Sequence, residues 1–132
     1  MSIDHVLAVV LMADFEAEQG WYERLFGRPA DNLPVDGLVE WRVTDSGWVQ
    51  LTRDADRAGS ALLNFAVDDL DQHVADISAR GLTPGVIETV NNGVQLCAVV
   101  DPEGNTITFI GGFRVQYSKA QSPLAPSWEM KA

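Results

Sequence analysis

The sequence predicts an α+β fold made of two tandem β-α-β-β-β modules. Two observations predict it. The order strand, amphipathic helix, hairpin occurs twice, and the caps and turns of both copies fall at matching distances. At 132 residues, the chain has the length of one domain.

Module one, residues 1–55, opens on IDHVLAVVL, whose β-branched and aliphatic side chains read as a strand. The helix DFEAEQGWYERLFG follows, with Asp14 placed to accept free backbone N–H groups as its N-cap and Gly27 closing it. Phe15, Tyr22, Leu25 and Phe26 form its apolar stripe. The segment RPADNLPV carries no strong strand signal. A hairpin of GLVEWRVT and WVQLTRD about the turn DSG ends the module, and RDADRAGS leads out of it.

Module two, residues 60–115, repeats the order. ALLNFAV reads as a strand and DLDQHVADISARG as a helix capped by Asp69 and Gly81, with Leu70, Val74 and Ile77 as its stripe. A short strand near VIETV precedes the hairpin GVQLCAVV, DPEG, NTITFIGG. Asp14 to Gly27 spans 13 residues and Asp69 to Gly81 spans 12; Gly37 to Asp45 and Gly93 to Asp101 each span eight. Residues 116–132 form a tail with two readings, a flexible terminus or an arm packing on a partner through Trp128.

Alternation along strands assigns faces. A two- or four-residue turn in the first hairpin would put Trp41 and Val43 on one face with Trp48 and Gln50. In the last strand Ile107 and Phe109 go under the helix, and Thr106 and Thr108 face away. Leu62, Asn64 and Ala66 likewise oppose Leu63, Phe65 and Val67. Trp41, Trp48, Gln50, Asn64 and Thr108 are thereby expected to look into a hollow, an aromatic wall with scattered hydrogen-bonding groups. The alternative for Trp41 and Trp48 is a cross-strand packing pair.

Nine basic against 19 acidic residues give a net charge of −10. Phosphate contacts need clustered Lys and Arg, so nucleic acid and anionic membranes are excluded as expected partners. No run approaches a membrane span and the N-terminus has no basic region before an apolar stretch, which sets the expectation of a cytoplasmic protein. The single cysteine, Cys97 in VQLCAVV, reads as a small buried hydrophobe. His73 reads as a helix-face residue, and DDLD as an acidic helix start favoured by the macrodipole. No phosphate loop, nucleophile elbow or zinc-helix motif is present.

IDHV at the start, WYERLFG in the first helix, VDDLD before the second and DPEGNTITF near the end resemble the vicinal oxygen chelate superfamily of glyoxalase, bleomycin-resistance and dioxygenase-like proteins. The resemblance covers about residues 3 to 112. It implies a curved, partly barrel-like mixed sheet with helices outside, and a homodimer. Metal-using members of that superfamily bind a divalent ion with four side chains from four strands, commonly His, Glu or Gln, His, and Glu. By that resemblance the positions fall on His5 or Leu7, Gln50, Leu62 and Thr108; the distance to the helix cap favours Leu7. Leucine binds no metal, and the neutral groups of His5 and Gln50 alone do not hold a divalent ion. No metal and no cofactor is therefore expected.

Three functions remain. The first is metal-independent binding that sequesters an aromatic or cationic small molecule such as an antibiotic, with Trp41, Trp48, Gln50, Asn64, Thr108, His5 and Leu62 as lining residues. The second is a lyase, isomerase or dioxygenase, metal-dependent or with His5 as general base. The third is an accessory domain that docks on a protein through its tail.

Overall fold

The computed structural model describes residues 2–113; the tail 116–132 and Trp128 lie outside the described residues. Module one consists of β1 (Val6–Met12), α1 (Phe15–Phe26), β2 (Asn32–Val35), β3 (Leu38–Arg42) and β4 (Gly47–Arg53). A short 3-10 turn, Ala55–Arg57, leads to β5 (Leu62–Val67), α2 (Leu70–Ala79), β6 (Glu88–Asn91), β7 (Val94–Val100) and β8 (Thr106–Gly111). Each module makes one four-stranded mixed sheet, in the orders β1-β4-β3-β2 and β5-β8-β7-β6. The sheets stay separate and do not close into a barrel.

The helix ends follow from local chemistry. Asp14 accepts from Ala17 N at 3.2 Å and Asp69 from Gln72 N at 3.1 Å, satisfying donors that a helix start leaves free. Gly27 ends α1 in the left-handed region at φ 76°, which favours glycine, and a Cβ there would lie 3.2 Å from the Arg80 guanidinium, which would have to shift slightly. RPADNLPV, weak as sequence, contributes β2, an edge strand paired irregularly with β3.

The register confirms the duplication. β1 runs parallel to β4 with Leu7 opposite Trp48 and Val9 opposite Gln50; β5 runs parallel to β8 with Leu62 opposite Thr106 and Asn64 opposite Thr108. Leu7 thus corresponds to Leu62, and Gln50 to Thr108. Both hairpins use three-residue turns, since Val43 N bonds Gly47 O and Asp101 N bonds Asn105 O.

That turn length corrects the expected place of Trp41. With three residues between the paired ends, odd positions oppose odd ones: Trp41 faces Val49, and Arg42 faces Trp48. Trp41 therefore lies on the helix side, fully buried, and is not a lining residue of the open face. Its Nε1 donates to Arg28 O at 3.0 Å, and its ring packs against Phe26 and Tyr22. Val43 goes to the same side.

The modules meet on their helix-bearing sides. The rings of Trp41, Phe26, Phe65 and Phe109 follow one another from sheet one through α1 to sheet two within one continuous core. The DPEGN turn clasps α1 from the other module. Both Glu103 oxygens accept from Ala13 N, at 2.7 and 3.0 Å, and Oε2 also accepts from Asp14 N at 2.5 Å. Asp101 accepts from Tyr22 Oη at 2.9 Å, from Asn105 Nδ2 at 2.7 Å, and from the backbone of Glu103 and Asn105. Asn105 in turn accepts from Ala61 N at 2.8 Å. Among the described residues no helix is long and apolar enough to cross a membrane.

Candidate functional site

With the helix sides joined, each sheet presents its other face outward. On sheet one this open face carries Leu7, Val9, Trp48, Gln50, Glu40, Arg42 and Leu38, by the strand parity and the observed register. On sheet two it carries Leu62, Asn64, Thr106, Thr108, Leu96 and Ala98. Large apolar groups stand uncovered on both: Leu7 is 46% exposed, Leu62 77% and Val100 56%. A hollow of about 320 Å³ on sheet two is bounded by Thr108, Leu96, Ala98, Glu88 and the Gly85–Val86 turn.

The expected lining residues divide between the two faces. His5, Trp48 and Gln50 come together on sheet one; Leu62, Asn64 and Thr108 come together on sheet two; Trp41 joins neither group. Trp48 Nε1 donates to His5 Nδ1 at 3.2 Å, with the rings edge to face at 6.2 Å. His5 Nδ1 is thereby engaged as the acceptor of the Trp48 indole N–H. Arg42 lies 6.0 Å from the Trp48 ring and is held by the carbonyl of Asp45.

Sequence reasoning missed Glu40. It stands opposite Gln50 across the β3–β4 pair, and its Oε2 accepts from Gln50 Nε2 at 2.7 Å. Its Oε1 accepts from Asn32 Nδ2 at 3.1 Å. Both donors are neutral amides, so they fix the carboxylate without cancelling its charge. The signal was available: once Trp41 is placed in the core, alternation puts Glu40 on the opposite face.

The donor set does not fit a divalent ion. Leu7 and Leu62 occupy two of the four positions, and an alkyl side chain offers no donor atom. Among the described residues no three His, Cys, Asp or Glu side chains cluster as metal ligands. Cys97 is buried, donates weakly to Gly85 O at 3.3 Å, and burial pushes its thiol pKa up. It is a packed side chain.

Buried titratable groups lie in the module junction instead, Glu18, Asp101 and Tyr22 among them. Glu18, on α1, is fully buried and neither carboxyl oxygen has a hydrogen-bond partner among the described residues. Burial, with the neighbouring Asp101, pushes its pKa up to about 9, so the side chain is a neutral acid at pH 7. Burial pushes Asp101 up as well, but the adjoining Glu18 acid and the bonds from Asn105 and Tyr22 outweigh it and hold Asp101 below its ordinary value. His73 is not a plain helix-face residue: it is half-buried, its ring 4.2 Å from that of Phe109. Burial and then Arg80 depress its pKa.

No protein-family model and no curated protein matches the chain. Solved structures do. A glyoxalase/bleomycin resistance protein from Catenulispora acidiphila is 29% identical, with a TM-score of 0.77 over 81% of this chain and 96% of that one. A lactoylglutathione lyase from Agrobacterium tumefaciens is 18% identical, with a TM-score of 0.67 over 81% and 92%. A bleomycin-binding protein complexed with bleomycin is 20% identical, with a TM-score of 0.65 over 83% and 99%. The last two likenesses speak for the fold alone. They join an enzyme and a binding protein on one architecture, so function has to be argued from the site.

Proposed function

We propose that this chain, a member of the vicinal oxygen chelate superfamily, is a metal-independent protein that binds an aromatic, cationic small molecule on the open face of sheet one. One observation carries the reading. Where the resemblance puts an ion cage, the face offers the indole of Trp48, exposed apolar strands, and the Glu40 carboxylate held only by neutral amides. Indole and carboxylate together favour a flat ring bearing a positive charge, and a net charge of −10 adds long-range attraction. Arg42, already beside the ring, has to share the indole or move aside. The bleomycin-binding neighbour is a precedent for binding bleomycin on this fold.

The ligand site is shared between two copies in this reading. Leu7, Val9 and Val35 on sheet one and Leu62 and Val100 on sheet two are uncovered in the single chain. Apposing the sheet-one face of one copy with the sheet-two face of the other would shelter these groups and enclose Trp48 opposite Thr108 and Asn64. The test is titration of tryptophan fluorescence with metal-free bleomycin and with proflavine, alongside light scattering on a sizing column. Saturable quenching that disappears in Trp48→Phe and weakens in Glu40→Gln, on a dimeric species, is expected. Quenching unaltered by both substitutions, or no response to either compound, overturns the reading.

A further inference from the structure

The module junction holds a second hollow, on the opposite side of the sheets from the open faces. It measures about 220 Å³ and is walled by Leu25, Phe26, Val43, Phe65, Val67 and Phe109. Three phenyl rings from α1, β5 and β8 give it an aromatic lining, and the polar groups at its edge include His73 and Arg80. A dry apolar cavity of roughly 150 Å³ accommodates benzene, so this one has room for a single ring with a small substituent.

The charge at its edge is positive, which is unusual for this protein. Arg80 closes the hollow on one side and is also part of a neighbouring groove of about 430 Å³ that carries Arg24 and Arg28 together with the acid Glu23. The guanidinium of Arg80 is fixed by donating from Nε to Arg24 O and from Nη2 to Leu25 O, 2.9 Å away, at the C-terminal end of α1. Nη1 takes no part in those two bonds and lies against Gly27. Arg28 is paired with Asp31 at 2.6 Å, which leaves Arg80 and Arg24 against the single acid Glu23 in that groove and Arg80 as the charged group that lines the hollow itself. A rigid, preorganised guanidinium beside a ring-sized apolar chamber matches an aromatic carboxylate, whose ring is desolvated while its anion stays at the rim.

We infer that the junction of the two modules binds a small monocyclic aromatic carboxylate, its ring among Phe26, Phe65 and Phe109 and its anion on Arg80. The site is independent of the open-face reading and of opposite charge preference. His73 beside it stays uncharged near neutrality, so the chamber remains apolar while the rim carries the charge.

Benzoate, benzyl alcohol and benzylamine, which share a ring and differ in charge, test the inference by calorimetry and by amide chemical-shift mapping on the full chain. Benzoate should bind about tenfold or more tightly than benzyl alcohol, benzylamine most weakly, with shifts centred on Phe26, Phe65, Val67 and His73. Arg80→Gln should remove the preference for benzoate while sparing benzyl alcohol. Should that variant lose its fold, Arg24→Gln at the exposed rim should reduce the preference, and Val43→Phe, which fills the chamber, should abolish benzoate binding with the melting temperature kept. Equal affinity for the three probes, shifts centred on Trp48 or Thr108, no binding of benzoate, or binding indifferent to these substitutions overturns it.

Discussion

Glu18→Gln should stabilise the protein, and by more the higher the pH. Glu18 is fully buried, and its pKa is pushed up from 4.5 to about 9 by burial and by Asp101. Between those values the folded chain holds a proton that the unfolded chain releases. Stability from this group is therefore greatest below pH 4.5 and falls by about 1.4 kcal/mol per pH unit until the folded group ionises. At pH 7 the accumulated loss is on the order of 3 kcal/mol, and less if Asp101 shares the proton. Glutamine has the same shape, carries no ionisable proton and keeps the position neutral at every pH beside Asp101. The substitution should raise the melting temperature by roughly 6–12 °C at pH 7, by little at pH 5, and by most near pH 8.5. Urea denaturation of both proteins at those three pH values reads the difference directly. A gain that does not grow with pH, or a loss at every pH, refutes the assignment of a neutral buried acid.

Glu103→Ala should cost about 1–3 kcal/mol in urea denaturation, because Ala13 N and Asp14 N lose a charged acceptor that reaches them from the other module. Trp41→Ala should cost about 3–5 kcal/mol without touching the open face, whereas Trp48→Ala should leave the melting temperature nearly unchanged and remove ligand-induced quenching. The depressed pKa of His73 works in the opposite direction to that of Glu18. The unfolded chain binds its proton more readily, so this contribution to stability is present above about pH 6.5 and lost as pH falls. His73→Gln should flatten the acid limb of the stability profile, which thermal melts between pH 5 and 7 would register.

Much of the architecture was legible because it rests on local rules. Asp14, Asp69 and Gly27 are end signals whose chemistry works within a few residues, and the helices begin and α1 ends where they stand. Thr108, Asn64 and Leu62 were placed on the open face by alternation alone, which needs no knowledge of the partner strand. Trp41 failed because its face depended on the length of a turn. One residue more or fewer in TDSG inverts every side chain of β3 relative to β4, and the sequence does not choose among two, three and four residues there. The same slip hid Glu40.

The junction was illegible for a different reason: its partners are far apart in the chain. Glu103 caps a helix start 90 residues away, and Tyr22 reaches Asp101 across 79. As sequence, DPEGN reads only as a turn, although its acids carry the clasp between modules. Glu18 reads as one more polar residue of a helix, and only the approach of the second module buries it. That placement also bears on function. A helix-side junction consumes the apolar stripes of both helices, leaving Trp48 on the open face of one sheet and Thr108 on that of the other. In the proposed shared site a second copy brings the two residues together. A site confined to Trp48, Gln50 and Glu40 would be shallow and would depend on the ligand's charge. Measuring affinity as a function of protein concentration separates the two: the shared site weakens on dilution below the dimer dissociation constant, and the single-face site does not.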